Sequence, residues 1–269
     1  VDHAPDRLRF AVLGPVRAWR AGTELDLGPR QQRAVLVALL LRRGCPVSAD
    51  ELIDGVWGED SPRTALGAVR TYVSRLRHLL EPARPDRRSR TVLVSIGDGY
   101  ALRTDRGATD LEEFERLLDR ARAARMAGDL DAAGRTVQQA LGLWRGEPMV
   151  GIPGPFAEGR RLAMSERGRS AMELRIELDL AAGRYDEAGA ELFALVAEYP
   201  LRERLTELLM VALYSAGRQA EALAAYTRTR RVLDDRLGID PGPRLRDLHR
   251  RILTADCETL MTTVNGLVR

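Results

Sequence analysis

The residues best suited to chemistry lie close together, between Ser61 and Leu80. Thr71, Ser74, Arg75 and His78 bring two hydroxyls, a guanidinium and an imidazole within two helical turns. They form no nucleophile–base arrangement with an orienting third group. They do form a row of donors and acceptors of the kind that reads base edges and grips phosphates, and arginine's fork suits both guanine and phosphate. Leu66, Val69, Val73, Leu76 and Leu80 recur at spacings of three and four, which predicts one buried helix stripe. At about 100° per residue, Thr64, Gly67, Thr71, Ser74, Arg75 and His78 fall on the opposite face, where there is no carboxylate. Such a helix is chemically fit to enter a DNA groove. The competing reading is an ordinary solvated helix face.

Other residues extend this candidate surface. Arg63 and Arg70 flank the helix face, as does Arg77, for which phosphate clamping competes with an ion pair to Asp54 or Glu51. Arg30, Gln31 and Gln32 open an earlier helix, whose N-terminal amides favour a phosphate, with plain capping as the alternative. Arg90, Thr91 and Ser95 belong to a following hairpin suited to the minor groove or backbone; a simple surface hairpin is the alternative.

The elements that must position these residues are legible upstream and downstream. Leu8 to Leu13 alternates, Gly14-Pro15 turns the chain, and Val16–Trp19 and Thr23–Leu27 complete a small antiparallel sheet. Pro29 opens a helix to about Arg43, with Val35, Leu36, Leu39 and Leu40 as its buried side. Ser48-Ala49-Asp50-Glu51 is a capping box for a short helix ending at Gly58. Ser61 and Pro62 are suited to the N-cap and first position of the next helix. After a polar loop, Thr91–Ile96 and Tyr100–Leu102 flank the hairpin signal Gly97-Asp98-Gly99. Sheet, three helices and hairpin make a winged helix-turn-helix with an added N-terminal sheet.

From Asp110 onward the pattern is helical, interrupted by a loop from Gly146 to Phe156 that holds three prolines and three glycines. Gly183-Arg184-Tyr185-Asp186-Glu187-Ala188 returns as Gly217-Arg218-Gln219-Ala220-Glu221-Ala222 at an offset of 34, the tetratricopeptide period. Helices are expected at about 185–198, 202–216, 219–237 and 243–254. Trp57 and Trp144 are expected as core anchors, and Tyr185, Tyr199, Tyr214 and Tyr226 as repeat packing. The fold class is therefore mainly α: a winged helix-turn-helix domain over 1–104, then an all-α tetratricopeptide-like domain over 105–269.

Composition narrows the function. All 42 cationic residues are arginine, and residues 1–104 hold 17 of them against 12 acids, whereas residues 105–269 hold 25 against 27. The basic excess sits with the candidate recognition helix, as a nucleic-acid reading requires. Two distant cysteines and three scattered histidines give neither a disulfide framework nor a metal site. No apolar run is long enough to span a bilayer, and a cytoplasmic protein without membrane contact is expected. No cofactor and no enzymatic activity are expected.

Leu13-Gly14-Pro15, Gln31-Gln32-Arg33-Ala34-Val35-Leu36, Val47 to Trp57, Thr71 to Arg77 and Gly99-Tyr100 resemble the Streptomyces antibiotic regulatory protein family. Ala222-Leu223-x-x-Tyr226 and Leu237-Gly238-x-x-Pro241-Gly242 are similar to that family's bacterial transcriptional activation domain. The resemblance covers about residues 8–255. It implies an OmpR-type DNA-binding domain and a sequence-specific activator of antibiotic and other secondary-metabolism genes. It further implies binding to direct repeats in double-stranded promoter DNA and recruitment of RNA polymerase holoenzyme through its sigma factor. Glu59 and Asp60, in the turn before the recognition helix, would then face a basic polymerase surface; favourable charge near a helix N-terminus is the simpler reading. A homodimer on DNA is expected, with the helical half making its contacts. Larger family members add a nucleotide-binding domain, but this chain holds no lysine and so no Gly-x-x-x-x-Gly-Lys-Ser/Thr loop. A small member and the N-terminal part of a large one both fit. The rival functional class is a non-enzymatic helical-repeat scaffold that binds a protein partner.

Overall fold

The computed structural model describes residues 8–81 and 92–254. Among these residues two compact units emerge, one running to residue 117 and resuming over 139–169, the other made of 118–138 and the chain from 170 onward.

In the first unit, β1 (Leu8–Ala11), β2 (Arg17–Arg20) and β3 (Thr23–Glu24) form an antiparallel sheet in that order, with Phe10 opposite Ala18. The strands are shorter than the alternation suggests. Val12 and Leu13 are fully buried, but their amides leave the ladder and donate to the Asp110 carboxylate, at 2.8 and 3.2 Å. Burial pushes the Asp110 carboxyl up, against the opposing pull of those two amides and of Arg145.

α1 (Arg30–Leu40) lies at the centre of this unit: every residue from Ala34 to Leu40 is buried, not only the expected stripe. β4 (Val47–Ser48) leads into α2 (Ala49–Trp57), where the capping box forms as expected: Glu51 N donates to Ser48 Oγ, and Ser48 N to Glu51 Oε2. A 3-10 turn over Gly58–Asp60 precedes α3 (Ala65–Leu80). Ser61 and Pro62 therefore do not start the helix; the Pro62 carbonyl accepts from Ala65 N in a separate turn first. β5 (Leu93–Ile96) and β6 (Gly99–Leu102) make the wing, and the sheet order is β4-β6-β5. β4 is invisible in sequence because two residues carry no periodicity. Gly99 is dictated by close approach, since a Cβ there would run into the Val47 carbonyl.

The helical part continues with α4 (Asp110–Met126), α5 (Leu130–Leu141) and α6 (Pro155–Ala181). Within the first unit Trp144 packs edge-on against Phe114, with ring centres 5.4 Å apart. Arg161 ties down the proline-rich loop through the carbonyls of Pro148, Met149 and Ile152.

The second unit contains α7 (Tyr185–Glu198), α8 (Glu203–Ser215), α9 (Gln219–Leu237) and α10 (Pro243–Leu253), close to the expected limits. Its core joins Ile176, Leu180, Leu192, Leu208, Leu213 and Ile252. Tyr185, Tyr199 and Tyr214 pack against it, and Tyr226 stacks on His249 at 3.8 Å. The 34-residue repeat is visible bond for bond. Gly183 and Gly217 share a left-handed φ of 78°. Arg184 N donates to Asp179 O as Arg218 N does to Leu213 O, and Ala188 N to Arg184 O as Ala222 N does to Arg218 O. A third copy of this turn occurs at Gly128, φ 81°, where Asp129 N donates to Ala124 O and Ala133 N to Asp129 O. The small, buried alanines Ala133, Ala188 and Ala222 occupy equivalent places. The 34-residue offset missed this copy because the loop after Trp144 lengthens the interval to 55 residues. Among the described residues, no helix is long and apolar enough to cross a membrane.

Candidate nucleic-acid interface

α3 is held by its apolar side. Ala65, Val69, Val73, Leu76 and Leu80 are buried against the rest of the first unit. Leu66, expected in this stripe, is instead 40% exposed. It sits about 60° from the stripe's centre in the helix's first turn, so Ala65 takes the inward place. At the other end, Arg20 Nη1 donates to Leu79 O at 3.0 Å, joining β2 to the helix terminus.

The opposite face is open. Arg63, Thr64, Arg70, Thr71, Ser74, Arg75 and His78 are all exposed. Arg63, Arg70 and Arg75 have no ion-pair or hydrogen-bond partner among the described residues, whereas many other arginines of the chain are paired to acids or carbonyls. An exposed guanidinium without a carboxylate is free to meet a phosphate or a guanine edge at no cost in broken pairs. Thr71 Oγ1 donates back to Gly67 O at 2.9 Å, so toward a ligand its hydroxyl presents lone pairs. In a major groove those match an adenine or cytosine amino group.

Three sequence expectations change here. Gln32 is buried, and its amide donates to Leu27 O at 3.0 Å, so its side chain is withdrawn from any ligand. The segment Leu27–Gly28, just before α1, lies against the Gln32 side chain; Arg30 stays exposed and Gln31 half-exposed. Arg77 pairs with neither Asp54 nor Glu51 and is not splayed outward: its Nε donates to Leu93 O at 3.0 Å and its Nη2 to Ser95 Oγ at 3.1 Å. Ser95 is exposed but engaged by that bond. Arg90 and Thr91 lie outside the described residues. From Val92 to Leu102 the wing carries no cation, and its tip holds Ile96 and Asp98.

Glu59 and Asp60 project from the 3-10 turn, exposed and without a partner among the described residues.

Residues 109–253 match the bacterial transcriptional activator domain, and residues 22–102 match the C-terminal domain of transcriptional regulatory proteins. The chain is 53% identical over 250 residues to the regulatory protein AfsR of Streptomyces coelicolor, covering 93% of this chain and 24% of that protein. It is 35% identical to the regulatory protein DnrI of Streptomyces peucetius, over 93% of each chain. It thus spans about a quarter of the AfsR proteins but nearly the full length of DnrI. Among solved structures, Mycobacterium tuberculosis EmbR in complex with a low-affinity phosphopeptide superposes with a TM-score of 0.87 at 38% identity, over 97% of this chain and 70% of that one.

Proposed function

The chain belongs to the Streptomyces antibiotic regulatory protein family of transcriptional regulators, and on that premise we propose that it activates transcription by laying α3 in the major groove of promoter DNA. The observation that supports this most is the open face of α3: three unpaired arginines, three hydroxyl residues and His78, with no carboxylate among them. Thr71, Ser74, Arg75 and His78 face base edges. Arg63, Thr64 and Arg70 hold the backbone on either side, with the exposed start of α1 at Arg30 and Gln31 as a further phosphate contact.

The site is a set of direct repeats, one copy of the chain per repeat, and the promoter-bound form is a homodimer. Glu59 and Asp60 lie outside the groove-facing surface and meet a basic surface of RNA polymerase holoenzyme, its sigma factor included. The regulated genes are those of secondary metabolism, the reaction chemistry is none, and the chain acts in the cytoplasm.

The experiment is selection of duplexes from a random-sequence pool by the full chain, followed by affinity measurement at several salt concentrations. Enrichment of one repeated motif is expected, with log affinity falling linearly as log salt rises, because released counterions dominate such binding. Enrichment of no motif overturns the reading, and a helical scaffold for a protein partner replaces it. Charge reversal at Glu59 and Asp60 is expected to leave duplex affinity intact and to abolish activation in a reconstituted transcription assay.

A further inference from the structure

The outer edge of the wing is gripped by the end of the helix it accompanies. β5 pairs with β6 on one side only. On its other side Glu81, the residue that follows α3, accepts from Val92 N at 2.8 Å and from Leu93 N at 2.7 Å through a single carboxylate oxygen. Arg77, one turn earlier, donates to Leu93 O and to Ser95 Oγ. Both main-chain polar groups of Leu93 are therefore held by α3, while its side chain is fully buried.

The sheet alone fixes this hairpin weakly. β6 meets β4 over only two residue pairs, Val47 with Tyr100 and Ser48 with Gly99, and an isolated two-stranded hairpin is marginal in water. An uncovered strand edge also invites foreign pairing. A two-point grip from a charged fork and a carboxylate answers both problems, and it uses the donors that a phosphate would otherwise take.

We propose that Arg77 and Glu81 are positioning residues: they fix the angle between wing and recognition helix, and thereby which phosphates beside the read base pairs the wing reaches. This rests on the DNA reading above. Arg77 then acts through Leu93 and Ser95 and not by touching the duplex. Glu81 makes the distinction sharp. A carboxylate near DNA only repels it, so removing Glu81 strengthens binding unless the group holds something in place.

The test uses the full chain with Arg77→Ala, Arg77→Lys and Glu81→Ala, and the duplex selected by the unaltered chain. Hydroxyl-radical footprints, salt slopes and, in the free chain, amide exchange at Val92 and Leu93 are read. All three variants are expected to lose protection over the flanking backbone while keeping it over the central base pairs. The salt slope is expected to stay unchanged, because Val92–Leu102 holds no cation whose phosphate contact could be lost, and exchange at the two amides to speed up at least about tenfold. Arg77→Lys should behave like Arg77→Ala, because an ammonium keeps the charge but not the fork.

An Arg77→Ala slope smaller by about one, rescued by Arg77→Lys, would identify a phosphate contact and overturn the proposal. Tighter binding by Glu81→Ala with an unchanged footprint overturns it as well. If Arg77→Ala does not fold, Glu81→Ala decides alone. Should the unaltered chain select no duplex, the DNA reading fails and the flanking-contact role falls with it, while the exchange measurement still decides whether the grip exists.

Discussion

Gly67 offers a perturbation whose two effects point in opposite directions. It lies in the first turn of α3, on the exposed side between Thr64 and Thr71. A Cβ built there meets nothing within 4 Å, and its backbone is ordinary helix, so the fold gives no reason for glycine. Gly67→Ala should therefore stabilise the chain by about 0.5–1 kcal/mol through lower backbone entropy in the unfolded state and better helix propensity. That corresponds to a melting shift of about 1–4 °C for a unit of this size. The Thr71-to-Gly67 bond uses a backbone carbonyl and survives the change. If a duplex lies on this face, the new methyl stands between helix backbone and DNA. Overpacking of a close interface costs about 1–3 kcal/mol, or roughly five- to 150-fold in affinity. Thermal melting and titration of the selected duplex measure the two effects separately. A variant that melts higher and binds as tightly as the parent would show that nothing approaches Gly67, and would refute the placement of the groove on this face.

Two further outcomes concern the fold. Asp110→Ala leaves the buried amides of Val12 and Leu13 without their acceptor, and despite relief of the carboxylate's own burial it should cost about 2 kcal/mol in urea unfolding; a loss under about 0.5 kcal/mol would show that water replaces the carboxylate there. Burial holds His249 below the usual histidine pKa, so on acidification the unfolded chain takes up a proton first. The stability of the second unit should be full above about pH 6.5 and fall below it; His249→Phe, which keeps the stack on Tyr226, should flatten that slope, and an unchanged slope would exclude His249 as its source.

The parts of this structure that the sequence foretold are those in which a local rule and the packing agree. The capping box at Ser48 and Glu51 and the limits of α9 follow from side-chain chemistry and period alone. So does the repeated glycine turn, because left-handed φ at Gly183 and Gly217 is a backbone demand that leaves a mark in composition. What escaped was non-local. Gln32 looks like a polar helix-start residue, yet it is buried and its amide donates to Leu27 O, a contact that no period or capping rule marks. Leu66 fits the stripe by spacing, yet in the first turn of α3 the inward place belongs to Ala65.

The candidate site divides in the same way. The exposed face of α3 was readable because amphipathic period sorts residues by side, whereas the role of Arg77 was not. A side chain that donates to a distant backbone carbonyl has no counterpart residue type to search for. Neither the phosphate clamp nor the alternative of a carboxylate partner anticipated Leu93 O and Ser95 Oγ for that reason. The third glycine turn at Gly128 was hidden by an inserted loop, which breaks the fixed interval while leaving the local hydrogen bonds intact.

Arg75 is exposed on α3 and unpaired among the described residues, and base reading by this helix rests on it more than on any other side chain. The most direct measurement is the affinity of Arg75→Ala for the selected duplex, beside its melting temperature. Melting is expected to be unchanged, because no bond within the described protein is lost, and binding to be weaker by about 1–3 kcal/mol with relaxed preference at one base position. Affinity and base preference equal to those of the parent chain would contradict it.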